Sequence, residues 1–219
     1  MSAVMAGGVF AGVLGPQLVT FTMNLWQPCL FAEKVIWMNT SNAGTTDSLA
    51  TFVAQLRSQL RDAPASQTTF TFQSSARPRE GLTTISRIRG FELIVDEPAD
   101  LGGRDQGPNP VELVLSALGT CQAIVYAVYA AALGIRLDGI EVTAEGDVDV
   151  RGLLGLAPVR PGFTGIRLRV SLETDAAAER VGELVRAVNA HCPVHDVIRN
   201  PVPLSESVQL NGSPLDVGG

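Results

Sequence analysis

The chain has 219 residues, enough for one substantial domain or a domain with an extension, and at 46% hydrophobic and 17% charged it can build a core. A net charge of −6 removes the basic footprint that nucleic acid or an anionic membrane surface would need. Three cysteines with no C-x-x-C pair exclude a secreted disulfide framework, a zinc ribbon and a thioredoxin-type motif. They leave a reducing, cytoplasmic setting in which any disulfide is transient.

The first stretch carries no charge before Glu33, yet it lacks a basic leader and is broken by Gly7, Gly8, Gly12, Gly15, Pro16 and Pro28. Met38 then opens a run that reads as an ordinary amino terminus. We read residues 1–37 as an upstream extension or misplaced start, against the alternative of a targeting segment, and give Cys29 little weight as a catalytic residue. Residues 38–66 read as an amino-terminal helix and linker, and residues 67–219 as the main domain.

Residues 46–61 have Leu49, Phe52, Val53, Leu56 and Leu60 at helical spacing, with Asp47 as the expected cap. Residues 63–66 form a linker. Residues 68–73 are β-branched and aromatic, hence a strand; 75–81 is a polar, basic turn; 82–89 and 91–95 are a second and third strand of a meander. Residues 96–109, rich in Gly, Pro and Asp, form a loop. Asn109, Pro110 and Glu112 then give a helix start, with Asn109 as cap and Glu112 closing a capping box. That helix runs to about Leu133 and ends at Gly134.

A strand follows within 135–150, then a Gly/Pro loop over 153–162 and an alternating strand over 165–173. Asp175 caps a helix with Val181, Leu184, Val185 and Val188 on one face. Cys192 and Pro193 start a short helix to Arg199, and 202–210 is a last strand. The order of elements is that of an α+β fold with a largely antiparallel sheet.

The central helix raises the question of a membrane, since residues 113–135 carry no charge. Gly119, Thr120, Cys121 and Gln122 make its middle polar, and no basic flank orients it. A helix apolar all round is also buried in protein. A domain of this size cannot cover every face alone, so a partner subunit is expected on one of them, and no membrane.

Two thiols carry the candidate chemistry. Cys121 lies mid-helix among Val114, Ala117, Leu118, Ile124, Val125 and Val128, so its helix gives it nothing polar, and an apolar site raises a thiol pKa. It is either an inert buried thiol or one activated by a cation from elsewhere, with Arg77, Arg79, Arg87 and Arg89 as candidates. Cys192 precedes Pro193 at a helix start, close to free N–H groups and the positive end of the helix dipole. A zinc site of His191, Cys192, His195 and Asp196 is disfavoured, because adjacent His191 and Cys192 do not easily reach one ion. The two histidines read as surface residues near the thiol.

The run GGRDQGPNPVELVLSALGTC, followed by HCPVHDVIRNPVPL, resembles the OsmC/Ohr family of thiol-dependent hydroperoxide reductases, in its broader OsmC-like branch. The resemblance spans residues 68–210. It implies an OsmC-like fold with long central buried helices, in an intertwined homodimer with active sites at the subunit interface. By position it implies that Cys121 attacks the peroxide, that its sulfenic acid condenses with Cys192, and that an external lipoyl-type dithiol reopens the disulfide, with no bound cofactor or metal. An arginine would stabilise the thiolate and a glutamate would hold the arginine.

In the Ohr branch that glutamate stands ten residues before the cysteine, where this chain has Val111. Glu112 is nine before, and at about 100° per residue that is the opposite face of the helix from Cys121. Glu112 is thus expected mainly as a helix cap, with arginine orientation as its alternative role. Arg79 is the expected arginine, with Arg77 as the alternative. The expected substrates are organic hydroperoxides, and H₂O₂ with them. The rival expectation is a non-enzymatic OsmC-like dimer that senses redox state or binds a small molecule.

Overall fold

The computed structural model describes residues 43–217; the segment 1–37 and Cys29 lie outside the described residues. The first helix, α1 (Ala43–Leu60), begins earlier than its composition indicated, so Asp47 lies inside it and not at its cap. Nothing in 43–46 obliges the chain to leave the helix, and each added turn residue gains a hydrogen bond once a helix is nucleated. Val53 is buried, whereas Phe52, Leu56 and Leu60 remain exposed.

A single helical turn, α2 (Ala65–Thr68), leads to β1 (Ser75–Glu80), β2 (Thr83–Ile88) and β3 (Phe91–Val95), an antiparallel meander in that order. The meander is as expected, but its first strand is not. Residues 69–74 form no strand, and Ser75–Glu80, read as part of a turn, supplies the strand instead. The register explains the difference. Gly81, at φ 58°, makes the tight turn that sets Glu80 against Thr83 and Ser75 against Arg87. The residues facing β2 are therefore the polar run from Ser75, and Pro78 is tolerated because β1 is an edge strand. Phe70 and Phe72 are left 69% and 91% exposed.

The loop after β3 is folded around one buried carboxylate. Asp96, 1% exposed, accepts hydrogen bonds from the Thr83 hydroxyl (3.1 Å) and from the backbone N–H groups of Glu97 (2.9 Å), Arg104 (3.2 Å) and Gln106 (3.4 Å). Gly103 packs so closely on the Glu97 carbonyl that an added Cβ would lie 1.7 Å from its oxygen. The Asp96 N–H reaches the Pro108 carbonyl at 3.3 Å, which delivers the chain to the start of the long helix.

That helix, α3 (Pro110–Leu133), has the ends its sequence indicates. Asn109 accepts from the Glu112 N–H at 2.9 Å, and Glu112 accepts from the Asn109 N–H at 2.8 Å. Gly134 closes it in the left-handed conformation, φ 66° and ψ 31°. By length and composition α3 could cross a membrane, with a mean hydropathy of 1.7. In this fold it packs against α1 and against the elements that follow it.

The chain after α3 forms β4 (Gly139–Val148), a helical turn α4 (Val150–Leu153), β5 (Phe163–Glu173), α5 (Ala178–His191) and α6 (Pro193–Arg199), and of these β4, α5 and α6 pack on α3. Strands β4 and β5 form a long antiparallel pair, Gly139 opposite Glu173 and Val148 opposite Phe163. Asp175 does not cap α5. The helix starts after Ala177 with no side-chain cap, and Asp175 faces Arg136 at 3.5 Å. The chain is turned earlier by Thr174, whose hydroxyl donates to the Arg136 carbonyl (2.6 Å) and accepts from the Ala176 N–H (3.1 Å). The expected last strand is a small hairpin, β6 (Val208–Leu210) and β7 (Ser213–Leu215). Asn211 and Gly212, both at positive φ, fold it back, the usual chemistry of a two-residue hairpin turn.

The core lies where α5 meets α3: Tyr126, Ala130, Ile135, Leu184 and Val188. Leu184 and Val188 are fully buried, each contributing roughly 1.5–3 kcal/mol. Within one chain α3 buries one stripe, Leu118, Gln122, Tyr126 and Ala130, while Val114 and Ile124 stay 41% and 63% exposed. A helix buried on all sides is not what the single chain shows. The meander makes most of its contacts within itself.

Burial works to raise the Asp96 pKa, but the hydrogen bonds from Glu97, Thr83, Gln106 and Arg104 outweigh it and leave the carboxyl below its ordinary value. A carboxyl held low contributes stability above its unfolded pKa, near 3.9, and loses it as pH falls through the lower folded value. Urea unfolding of Asp96→Asn is expected to show lower stability than wild type at pH 7 and a flatter decline below about pH 4. Parallel acid limbs in the two proteins would contradict this account of the loop.

Candidate active site

Two elements far apart in sequence place the thiols. Cys121 stands halfway along α3, at the seam between the buried stripe and the exposed Val114 and Ile124 flank, and is itself partly exposed. Cys192 ends α5 and caps α6: its N–H reaches the Val188 carbonyl (2.9 Å), and its carbonyl accepts from the Asp196 N–H (3.0 Å). Pro193 suits this corner, since the first helical position has no N–H partner to lose. The corner docks on α3, and the sulfurs of Cys192 and Cys121 lie 3.4 Å apart. Both thiols are free, and a covalent bond needs them closer by about 1.4 Å.

The two thiols have different surroundings. Cys192 is 1% exposed. Burial pushes its pKa up, the N–H groups of His195 and Val194 at the start of α6 pull it down, and the neighbouring Cys121 pushes it up again, with a net rise. The helix-start N–H groups expected beside Cys192 are therefore present, but burial dominates.

The other expected site residues lie apart from this pair. Glu112 is engaged in the capping box, bonded to the Asn109 N–H. Arg79 stands on exposed β1 and lines a 110 Å³ cavity with Glu80, Thr83 and Arg104. Arg104 forms a two-pronged bond to Glu80, at 2.7 and 2.6 Å. Arg77 is also on β1, opposite Ile85. Among the described residues no hydrogen bond or ion pair joins Arg77, Arg79 or Glu112 to either cysteine. His191 donates from Nδ1 to the Ala187 carbonyl (2.8 Å) and stacks on Tyr129 at 5.1 Å; it is exposed, as expected. His195 is half-buried beside Asn189, whose carbonyl its Nδ1 approaches at 3.3 Å.

Sequence reasoning passed over Gln122. It was noticed only as part of a polar mid-section, yet it is 1% exposed and its Nε2 has no hydrogen-bond partner. The signal was available: a lone amide beside the cysteine of an otherwise apolar helix.

Residues 103–207 match the sequence profile of the family described as OsmC-like protein. The match takes in the loop before α3 and continues through α6; it leaves α1 and the meander outside. No curated protein matches the chain. The crystal structure of an OsmC like protein from Mycoplasma pneumoniae shares 18% identity, with a TM-score of 0.52 over 60% of this chain and 89% of that one. An organic hydroperoxide resistance protein OsmC from Legionella pneumophila shares 21%, with a TM-score of 0.47 over 59% and 90%. An organic hydroperoxide resistance protein from Elizabethkingia anophelis shares 20%, with a TM-score of 0.48 over 62% and 92%. The profile match supports the resemblance to the OsmC-like family read from the two cysteine motifs, and the likeness to the Mycoplasma pneumoniae structure makes the α+β fold of the OsmC-like kind.

Partial exposure of Cys121 and the raised pKa of buried Cys192 predict an order of alkylation. Under reducing conditions at pH 8, iodoacetamide should modify Cys121 well before Cys192, and raising the pH should speed Cys192, which holds more of its proton at pH 8. Peptide mapping reads both. Glu112→Gln, which keeps an acceptor for the cap, should leave the Cys121 rate unchanged. Faster modification of Cys192, or slowing of Cys121 in the Gln variant, would contradict the assignment.

Proposed function

We propose that the protein is a cysteine-based peroxidase that reduces organic hydroperoxides, and H₂O₂ with them, to alcohols or water. The observation that carries this reading is the 3.4 Å approach of two free thiols held by separate helices. The Cys121 thiolate attacks the terminal peroxide oxygen. The O–O bond breaks, the alkoxide leaves and takes up a proton as the alcohol, and Cys121 becomes a sulfenic acid. The Cys192 thiolate attacks the sulfenic sulfur, hydroxide departs and is protonated to water, and a Cys121–Cys192 disulfide remains. An external dithiol of the lipoyl type reopens it by thiol–disulfide exchange and is itself oxidised. No bound cofactor enters the cycle.

The split between the thiols supports these roles. Cys121, the more accessible, meets the peroxide; Cys192, buried with its pKa raised, acts only after the sulfenic acid forms. Leu118 and the exposed Val114 and Ile124 flank suit an alkyl substituent.

The proposal includes a cytoplasmic homodimer. The exposed apolar flank of α3, the exposed Phe91 and the self-contained meander fit a second copy of the chain covering these faces. In that assembly Arg79, or Arg77 in its place, comes from the β1 edge to stabilise the Cys121 thiolate, and Glu112 serves the helix start. The competing reading is a redox-sensing dimer without turnover; it draws support from the lack of an arginine beside Cys121 within one chain. Turnover separates the two. With cumene hydroperoxide and dihydrolipoate the wild type should cycle and Cys121→Ser should consume no peroxide; with peroxide alone, Cys192→Ser should consume about one equivalent and accumulate a sulfenic acid. Peroxide consumption by Cys121→Ser at the wild-type rate would sink the proposal.

A further inference from the structure

The reduced thiol pair has a second property that peroxide chemistry leaves unused, the span between its sulfurs. Cys121 and Cys192 present them 3.4 Å apart with no bond between them. An atom bonded to both at about 2.3 Å, the zinc–thiolate length, would hold them at an angle of about 95°. A tetrahedral ion needs a wider angle, about 109°, and two further ligands. Among the described residues no group of three His, Cys, Asp or Glu side chains is placed to hold a metal ion. A linear, two-coordinate ion needs its sulfurs on opposite sides, roughly 4.6 Å apart. The span suits a pyramidal, three-coordinate centre, whose lone pair presses its bonds toward a right angle.

The surroundings favour a neutral centre. Cys192 is 1% exposed, burial above all holds its proton on, and no cation is among the groups acting on it. A metal ion would need both thiols stripped of their protons and charge brought into that setting. A trivalent arsenical, R–As(OH)₂, is neutral, pyramidal and reacts with the protonated thiol. We propose that the reduced Cys121–Cys192 pair chelates trivalent arsenicals, one arsenic bridging both sulfurs. Partly exposed Cys121 bonds first, and Cys192 closes the chelate. In each step a sulfur–arsenic bond forms, an arsenic–oxygen bond breaks, and the hydroxyl leaves with the thiol proton as water. Arsenic stays trivalent and neither sulfur is oxidised, so no oxidant or reductant enters. The disulfide has no thiol to offer, so only the reduced form binds, and occupancy blocks disulfide formation. The site uses the same two thiols as the proposed peroxidase but rests on their separation and protonation, not on turnover.

The test treats the reduced, full-length protein with phenylarsine oxide, without peroxide and in excess mercaptoethanol, and reads the native intact mass. One phenylarsenic unit is expected per chain, with two thiol hydrogens lost and no arsenic hydroxyl retained. Excess dimercaptopropanol is expected to remove it where mercaptoethanol does not. Cys121→Ser and Cys192→Ser are each expected to bind about a hundredfold more weakly, since one of two linked attachments is gone. Cys29→Ser is expected to bind as the wild type does. No adduct, an adduct that keeps an arsenic hydroxyl, or binding lost in Cys29→Ser would overturn the proposal, as would wild-type affinity in either of the other two variants. Should one of those fail to fold, the competition decides: displacement from the wild type by mercaptoethanol as readily as by dimercaptopropanol means attachment at one point and overturns the chelate. Peroxide turnover enters none of these readouts, so either reading can fail while the other stands.

Discussion

The contact between Cys121 and Cys192 depends on how the α5–α6 corner is seated on α3. Leu184 and Val188 are fully buried on the α5 side, with Tyr126 and Ala130 beneath them on α3. Cys192 follows directly, and Pro193 turns the chain into α6 without costing a backbone hydrogen bond. The 3.4 Å sulfur separation is thus a product of core packing. A large-to-small change at Val188 or Leu184 would act on chemistry by loosening this corner, with no contact to substrate.

The same packing creates an electrostatic problem. An apolar setting favours the neutral thiol, and for Cys192 burial prevails over the N–H groups of α6. Cys121 differs: it stands at the edge of the buried stripe, where solvent reaches it. Of the basic groups of β1, Arg79 lines a cavity beside the Glu80–Arg104 ion pair. The meander makes most of its contacts within itself, and no hydrogen bond or ion pair joins Arg79 to either thiol among the described residues.

Much of the fold was legible because its signals are local. Asn109, Pro110, Glu112 and Gly134 each act within a few residues, and α3 begins and ends where they indicate. The reading of Glu112 as a cap followed from counting helical degrees, and its bond to the Asn109 N–H agrees. The failures came where a distant partner decides. Phe70 and Phe72 have strand propensity, but the turn at Gly81 selects Ser75–Glu80 to pair with β2. Asp175 looks like a cap, yet it faces Arg136, in the segment between α3 and β4, while Thr174 shapes the turn. The pairing of the two thiols was implied by the family resemblance and not by their spacing of 71 residues.

The central claim is that Cys121 and Cys192 form one redox unit. The most direct measurement is intact mass and non-reducing peptide mapping after treatment of the reduced protein with one equivalent of cumene hydroperoxide. The account predicts a loss of two hydrogens and a Cys121–Cys192 linked peptide within seconds. Two unmodified thiols after minutes, or oxidation of Cys121 to a stable acid with Cys192 still free, would contradict it.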